Sequence, residues 1–320
     1  LMNPQKQIHL GITFDQNYVT LFYVLLTSVF LNNKKNKIAV HVIATGVDEA
    51  EREKIKTFIK AHHGEIFFYE FDKYQASHLA LTQGKHLTAA TYYPLYLPGL
   101  VPTHIEKLLY LDTDIVVIGD LWDLYNTDLK GLPAAAVYYP GSQPRPELSI
   151  YTPGNYFNAG VMLINQNAWK PQAISEKTIA FAQQYPEKCR LNDQDALNAI
   201  LVDNYYKLEL KYNVTLSDIP DDLGRSKYKE FLSDKVIIHY TRGGHKPWKM
   251  LGKNKFRHLY HYYLKKSPRK DERKYNDFKF SPTKLMFFVK IRTEERIMDY
   301  PVAYKVFKKI NKRRLSSGKA

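Results

Sequence analysis

The chain has 320 residues, 44% of them apolar, and a net charge of +15. We expect neither a membrane-spanning helix nor a secretion leader, because no run of about 20 apolar residues and no apolar signal-peptide core is visible. A single cysteine, Cys189, excludes an internal disulfide framework and favours the reducing cytoplasm. The positive charge is concentrated in residues 249–320, which hold 22 Lys and Arg against 6 Asp and Glu, whereas the first 248 residues are nearly neutral.

The first 110 residues or so alternate between β-rich runs and helical patterns. Strands are predicted at residues 7–14, 37–45, 64–71 and 107–117, and helices at 18–30 and 48–62. Continuous Val, Ile and Leu runs separated by helices are typical of a parallel sheet covered on both faces. Ligands of such sheets bind beyond the carboxyl ends of the strands, where we expect Asp15 and residues 112–114 to lie.

The second half of the chain continues this pattern and then changes character after Trp248. Further strands are predicted at 134–139, 160–166, 206–213 and 235–241, and further helices at 176–185 and 193–202. Residues 267–274 have the composition of a solvated linker, and residues 284–297 and 304–314 predict basic amphipathic helices. We therefore expect a domain boundary near residue 250.

Two aspartates, Asp112 and Asp114, directly follow the apolar run 108–111. Alternate residues of an extended segment face the same way, so both carboxylates can converge on one cation. Two ionised carboxylates at the end of a buried strand repel each other and need a compensating positive charge. Such pairs are common on protein surfaces, but the position after a buried strand favours a metal site.

A second polar group begins at His239, which follows an apolar strand and can supply an imidazole ligand. Gly243 and Gly244 allow backbone N–H groups to approach an anion closely, and Lys246 adds a positive charge suited to a phosphate. A single His at a strand end is usually a hydrogen-bonded core residue. The glycines and the lysine that follow make a binding site the better interpretation.

Three shorter polar segments complete the candidate site. Residues 15–18 follow the first strand, and Tyr18 is suited to stacking on a base, although Asp15 or Asn17 can equally act as a helix N-cap. Residues 158–160 precede a strand, and Gly160 allows a ligand to approach closely. Residues 192–195 open a predicted helix.

Six motifs, in this order, resemble those of glycosyltransferase family 8, which includes bacterial lipopolysaccharide galactosyl- and glucosyltransferases and glycogenin. The motifs are TFDQNY at 13–18, TAATY at 88–92, KLLYLDTD at 107–114, YFNAGVMLIN at 156–165, NDQDALN at 192–198, and HY followed by Gly243 and KPW within 239–248. The resemblance implies a GT-A type, Rossmann-like mixed α/β sheet flanked by helices over residues 1–250. A basic helical extension then occupies residues 251–320.

The family resemblance also implies a UDP-sugar donor, Mn²⁺ with Mg²⁺ as the alternative, and retention of anomeric configuration. By this resemblance Asp112, Asp114 and His239 bind the metal. The residues implied to contact the nucleotide sugar are Thr13, Asp15, Asn17, Tyr18, Asp112, Thr113, Asn158, Ala159, Asp193, Gln194, Gly243 and Lys246.

Gln194 and Asp193 are the candidate catalytic residues, because Gln194 lies nearest the anomeric carbon in the family. An amide is a poor nucleophile, which favours a front-face reaction in which the departing phosphate accepts the proton of the acceptor hydroxyl. Retention through a covalent intermediate would need a carboxylate, and Asp193 is then the nearest one in the sequence.

Three departures from the family pattern leave the donor open among UDP-Glc, UDP-Gal and UDP-GlcNAc. Pro94 stands where the family usually has an arginine, and Tyr138 and Tyr139 stand where many members have an aspartate. One residue is also inserted between His239 and Gly243. The missing arginine also keeps a second hypothesis open, a non-catalytic UDP-sugar-binding scaffold that assists another transferase. The expected acceptor is a cell-surface glycan or a glycoprotein.

The basic C-terminal segment predicts a peripheral contact with an anionic membrane surface at the inner face of the cell membrane. Residues 284–297 combine Leu285, Met286 and Phe287 with several cations, which is typical of an interfacial helix. The alternative is a solvated basic face packed on the body or on a second subunit of a homo-oligomer. Nucleic acid is not an expected partner.

Overall fold

The computed structural model describes residues 6–70 and 92–309, apart from residues 298, 301 and 308. Its strands are β1 (Gln7–Asp15), β2 (Lys37–Thr45), β3 (Glu65–Phe68), β4 (Lys107–Leu111), β5 (Ile115–Val117), β6 (Ala134–Tyr138), β7 (Phe157–Asn165), β8 (Tyr206–Leu208) and β9 (Ile237–His239). Most of the predicted strands are present with boundaries within three residues of those expected. Residues 88–91 of the second family motif and 310–314 of the last predicted helix lie outside the described residues.

The helices alternate with these strands over most of the chain. They are α1 (Val19–Asn32), α2 (Glu49–Ala61), α3 (Tyr93–Leu100), α4 (Trp122–Tyr125), α5 (Gln166–Trp169), α6 (Ile174–Gln184), α7 (Asp193–Ile200), α8 (Tyr228–Leu232), α9 (Arg257–Lys266) and α10 (Pro282–Ile297). None of the helices in the described ranges is long and apolar enough to cross a bilayer.

The main sheet of the described residues has seven strands in the order β3–β2–β1–β4–β7–β6–β8. Strands β3, β2, β1 and β4 run parallel, whereas β7 runs antiparallel between β4 and β6. Strand β8 is again parallel to β6. The carboxyl ends of β1 and β4 therefore meet at one edge, where Asp15 and the residues after Leu111 lie.

The sheet is covered on both faces, as the continuous apolar strands predict. One face packs against α1 and α2, and fully buried residues such as Ile8, Leu10 and Leu25 lie between them. The other face packs against α3, α6 and α7 through Leu108 and Met162. Each such side chain removed from water contributes about 1.5–3 kcal/mol, so the sheet is a rigid support for the residues at its edge.

The prediction of one continuous strand over residues 107–117 is wrong. The chain leaves the main sheet after Leu111 and re-forms as β5, which pairs antiparallel with β9 in a separate two-stranded sheet. Two carboxylates cannot lie inside a buried sheet without a compensating charge, so the chain turns where they occur. The turn places Asp112 and Asp114 beside His239, because Ile115 pairs with His239 in the β5–β9 register.

The segment after residue 250 begins with a helix that packs on the body. Helix α9 contacts α1, and Tyr260 and Tyr263 join an apolar cluster with Leu21 and Val24. The predicted linker 267–274 is mostly exposed but anchored, because the Arg269 guanidinium lies 2.7 Å from Glu51 on α2. The domain boundary near residue 250 stays a prediction.

Candidate active site

Three predicted metal ligands lie together at the edge of the main sheet. His239 Nε2 is 2.9 Å from Asp114 Oδ1 and 3.7 Å from Asp112 Oδ2. One ligand atom from each of the three residues lies within 4.8 Å of the others. Because the side chain of His239 is only 2% exposed whereas that of Asp112 is 40% exposed, the cluster has a buried base and an open side.

The imidazole of His239 is oriented by a residue that the sequence did not indicate. Its Nδ1 donates to Asn213 Oδ1 at 3.0 Å, and Asn213 is 1% exposed. With a proton on Nδ1, Nε2 is the ring nitrogen that faces Asp112 and Asp114, where it donates to Asp114 Oδ1 at 2.9 Å when protonated and offers a lone pair when not. Two carboxylates that face one another need a positive charge between them, which the imidazolium or a divalent cation can supply.

The two carboxylates have opposite pKa shifts. Burial, followed by repulsion from Asp114, raises the pKa of Asp112. Burial acts in the same direction on Asp114, but the attraction of His239 and Lys246 outweighs it and lowers the pKa of Asp114. The Lys246 ammonium contacts Asp114 Oδ2 and the backbone oxygen of Tyr240. Lys246 thus lies next to the three predicted metal ligands Asp112, Asp114 and His239, which we call the metal-ligand cluster. Its role at the diphosphate stays a prediction.

Gly160 on β7 lies directly behind the metal-ligand cluster. A Cβ atom at this position would collide with the His239 ring and with the Asp112 carboxylate. Its carbonyl oxygen also accepts a hydrogen bond from the Asp112 backbone nitrogen at 2.8 Å. The sequence analysis explained a small residue at position 160 by the close approach of a ligand. The structure gives a different reason, because the side chains of His239 and Asp112 occupy the space that a Cβ atom would need.

A cleft of about 410 Å³ opens beside the cluster. Its described lining residues come from the ends of β1 and β4, from α3 and from the start of α7, and are Thr13, Phe14, Asp15, Tyr18, Pro94, Tyr110, Asp112, Thr113, Asp114 and Asp193. Tyr18 lines the cleft and is 47% exposed, so part of its side chain is accessible. Asp15 accepts from the Asn17 backbone nitrogen at 2.7 Å, so its predicted N-cap role is confirmed and coexists with its place in the cleft.

Asp193 is a carboxyl group of the cleft whose pKa lies well above its ordinary value. Burial, followed by repulsion from Asp112, raises the pKa of Asp193 to about 7. The residue begins α7, whose backbone N–H groups partly oppose this effect. A carboxyl group with a pKa near neutrality, in a cleft, is a feature of catalytic and ligand-binding sites.

The side-chain amide of Gln194 is held on both sides by the protein. Its Oε1 accepts from Asn158 Nδ2 at 2.9 Å and from the Ala159 backbone nitrogen at 3.2 Å. Its Nε2 donates to the Tyr156 hydroxyl at 2.9 Å. The structure therefore brings the predicted residues Asn158, Ala159 and Gln194 together, with Tyr156 as an additional partner.

Asp195 supports this arrangement from the protein interior. It is completely buried and accepts from the Tyr156 hydroxyl at 2.5 Å and from the Leu191 backbone nitrogen at 2.7 Å. The guanidinium of Arg145, from the loop between β6 and β7, compensates its charge at 3.2 Å. A buried carboxylate with a charged partner and several donors is fully satisfied, and such groups hold their neighbours rigidly.

Gly243 and Asn17 are the predicted residues with the fewest ties to the rest of the site. Gly243 is exposed in the short 3-10 helix Gly243–His245, and a Cβ there would meet no atom within 4 Å. The Asn17 side chain is exposed beside Tyr18. The roles of these two and of the other predicted nucleotide-sugar residues stay predictions.

The comparisons with known proteins agree with the family resemblance of the motifs. The family model for glycosyl transferase family 8 matches residues 9–252. The chain belongs to this family. As a member of family 8 the protein is a glycosyltransferase, and its two aspartates and His239 lie within the matched residues.

Two curated relatives of this family 8 protein cover most of its length. General stress protein A of Bacillus subtilis (strain 168) is 30% identical over 277 residues, which are 82% of this chain and 95% of the relative. Lipopolysaccharide 1,2-glucosyltransferase of Escherichia coli (strain K12) is 27% identical over 280 residues, which are 85% of this chain and 81% of the relative.

A solved structure gives the fold of this family 8 protein. Galactosyltransferase LgtC, determined in complex with donor and acceptor sugar analogs, has a TM-score of 0.68 at 22% identity. The match covers 82% of this chain and 96% of LgtC. The predicted GT-A type fold, a mixed sheet flanked by helices, is confirmed.

Proposed function

We propose that this glycosyltransferase is a metal-dependent, retaining enzyme that transfers a hexose or N-acetylhexosamine from a UDP-sugar to a cell-surface glycan or a glycoprotein. The observation that carries the proposal is the cluster of Asp112, Asp114 and His239 at the edge of the cleft. The name of the lipopolysaccharide glucosyltransferase relative supports a glycan acceptor.

Mn²⁺ is the metal that we propose, with Mg²⁺ as the alternative. One imidazole and two carboxylates form a mixed donor set, which Mn²⁺ accepts more readily than Mg²⁺ does. The lone pair of His239 Nε2, directed at two carboxylates, supports a divalent cation at this position. Bound there, the ion would neutralise diphosphate charge and stabilise UDP as the leaving group.

The shape of the cleft supports a consistent placement of the donor. We assign the uridine to Asp15 and Tyr18, because Tyr18 offers a half-exposed aromatic ring and Asp15 an acceptor. We assign the diphosphate to the metal-ligand cluster and Lys246, and the sugar to the region of Asp193. Pro94 lines the same cleft and offers no charged contact to sugar hydroxyls, so UDP-Glc, UDP-Gal and UDP-GlcNAc all remain candidate donors.

The contacts of Gln194 support a front-face reaction. Its carbonyl oxygen already accepts two hydrogen bonds from the protein, which leaves it poorly placed as a nucleophile. The role that we propose for Gln194 is to shape the sugar site through its fixed amide. Asp193 adjoins Gln194 in the chain and lines the cleft, and a covalent route through its carboxylate is the competing mechanism.

The proposed activity is tested by measuring the release of free UDP from UDP-Glc, UDP-Gal and UDP-GlcNAc, with and without Mn²⁺. At least one donor should be cleaved, and only with metal. Asp112→Asn and His239→Ala should each lower turnover at least about 100-fold, because several kcal/mol of charge stabilisation are lost. Asp128→Asn, which changes an exposed carboxylate paired with Lys130, is the matched control.

Full activity of Asp112→Asn and His239→Ala would contradict the metal site. Binding of UDP-sugar without release of UDP from any donor would instead support the non-catalytic scaffold.

We further propose that the C-terminal segment contacts an anionic membrane surface. The first half of α10 exposes Leu285, Met286, Phe287 and Val289, which are 45–63% exposed. Its second half is fixed to the body, where the Arg257 guanidinium lies 3.3 Å from Glu295. Apolar side chains held outward among cations are suited to insertion between lipid headgroups.

Sedimentation with phospholipid vesicles tests the membrane contact. The protein should bind vesicles that contain phosphatidylglycerol more tightly than neutral ones, and the binding should weaken with salt. Met286→Ser combined with Phe287→Ser should reduce it, whereas Tyr151→Ser, at a 72% exposed aromatic elsewhere, should not. Equal binding to neutral vesicles would contradict an electrostatic contribution.

A further inference from the structure

A continuous chain of side-chain hydrogen bonds connects the metal-ligand cluster to the buried Asp195. Its five bonds have lengths of 3.0, 2.8, 2.9, 2.9 and 2.5 Å. We call it the relay. Its members, in order, are His239, Asn213, Asn158, Gln194, Tyr156 and Asp195.

Every member of the relay before Asp195 donates in the same direction, towards Asp195. An ionised carboxylate only accepts, so the Tyr156 hydroxyl donates to Asp195 and must accept from Gln194 Nε2. The Gln194 carbonyl then faces Asn158 Nδ2, and the Asn158 carbonyl faces Asn213 Nδ2. Asn213 is left with its carbonyl towards His239, which therefore carries its proton on Nδ1.

Two backbone groups of β7 reinforce this direction. The Ala159 nitrogen donates to Gln194 Oε1 at 3.2 Å, and the Gly160 nitrogen donates to Asn158 Oδ1 at 3.1 Å. Reversal of either amide would place an N–H group against another N–H group. Because Asn213 and Asn158 are 1% and 8% exposed, water cannot readily replace a lost partner.

We propose that Asn213 is a positioning residue that couples the protonation pattern of His239 to the orientation of the Gln194 amide. Its carbonyl oxygen fixes the His239 tautomer that presents Nε2 to the metal-ligand cluster. Its amide nitrogen fixes the Asn158 carbonyl and, through Asn158, Gln194. The inference rests on the proposed function, because it gives the two ends of the relay their roles at the diphosphate and the sugar.

Two substitutions at Asn213 separate these two roles. Asn213→Asp keeps an acceptor for His239 Nδ1–H but loses the donor to Asn158. Asn213→Leu, of similar size, loses both. A purely structural role would make the two variants differ only in stability, whereas the relay predicts different effects at its two ends.

The experiment uses the full chain labelled with ¹⁵N in His and Gln side chains, together with titration by Mn²⁺ alone. In Asn213→Asp the His239 ring should keep the Nδ1–H tautomer and Mn²⁺ affinity should stay within about threefold. The Gln194 side-chain amide signal, assigned with Gln194→Glu, should shift. In Asn213→Leu the tautomer preference should also be lost, and Mn²⁺ affinity should fall about 10–100-fold, as for other residues that orient a metal-ligating His.

Asn204→Asp is the matched control, since its amide donates to Gln172 outside the relay, and it should change none of the three signals. An unshifted Gln194 signal in Asn213→Asp, or an unchanged tautomer in Asn213→Leu, would overturn the inference. None of the three readouts needs turnover, so a protein that releases no UDP would refute the proposed activity while the relay is still tested by the NMR signals and the Mn²⁺ titration. Absence of Mn²⁺ binding in the unmodified protein would overturn both.

Discussion

Arg145 and Asp195 are 50 positions apart in the chain and form an ion pair of 3.2 Å, with Asp195 completely buried. The pair ties the loop between β6 and β7 to the first turn of α7, directly behind Gln194. Neither residue lines the cleft among the described residues, so the pair acts on the site through its neighbours.

Arg145→Met should destabilise the protein by about 3–5 kcal/mol, because it leaves the Asp195 charge buried without its partner. Urea unfolding measures this. The double variant Arg145→Met with Asp195→Asn should recover much of the loss. Glu147→Gln, which removes the more exposed partner of Arg145, should cost less than about 1 kcal/mol. A loss as small for Arg145→Met as for Glu147→Gln would contradict this account.

Gly160→Ala should abolish metal binding while leaving most of the fold intact. The new Cβ collides with both His239 and Asp112, so one of these ligands must move. We expect Mn²⁺ affinity, measured by calorimetry, to fall at least about 100-fold, with a loss of about 1–3 kcal/mol in stability from overpacking. Gly99→Ala, where a Cβ meets nothing within 4 Å, should leave Mn²⁺ binding unchanged.

Lys246→Met should change the affinities for metal and nucleotide in opposite directions. The Lys246 ammonium lies against Asp114, so its removal should tighten the binding of Mn²⁺ alone by about tenfold, or about 1.4 kcal/mol. UDP binding at saturating Mn²⁺ should weaken, because the proposed diphosphate contact is lost. Calorimetry with each ligand measures both effects. Lys249→Met, which removes one positive charge at a neighbouring position, is the control. Weaker binding of Mn²⁺ to Lys246→Met would be the contrary result.

Asp193→Asn should make the protein more stable at pH 8 but not at pH 4. Burial raises the pKa of Asp193 from 3.8 to about 7, so the folded state holds the proton more tightly than the unfolded state. Stability should therefore fall between about pH 4 and 7 and then level off, by at most about 4 kcal/mol at about 1.4 kcal/mol per pKa unit. The asparagine variant should lack this contribution. Urea unfolding of the unmodified protein and of Asp193→Asn across this pH range, with a chelator present, should give stability curves that diverge. Parallel curves would exclude the raised pKa of Asp193.

The sequence was sufficient to predict the parallel strands of the first half of the chain and the clustering of Asp112, Asp114 and His239. The apolar strands are local patterns, and the family motifs carry the ligands in a known order. The break between β4 and β5 was missed because Ile115–Val117 is as apolar as the strand before it. Only the long-range pairing with β9 distinguishes the two.

The partners of the site were the less predictable part. Asn213 contacts a residue 26 positions away and Arg145 one that is 50 positions away, and neither lies in a recognisable motif. Their roles depend on which buried polar atoms remain to be satisfied once the chain has folded. A local pattern contains no such information, since a loop arginine or asparagine is usually solvated.

The packing of α9 has a practical consequence for anyone who shortens the protein for crystallisation. Tyr260 and Phe256 share an apolar cluster with Val116 on β5 and Ile238 on β9, the two strands that carry the metal-ligand cluster. A fragment that stops at residue 250 would expose the reverse side of both strands to water. Fragments intended to keep the catalytic centre should therefore extend at least to Lys266, the last residue of α9.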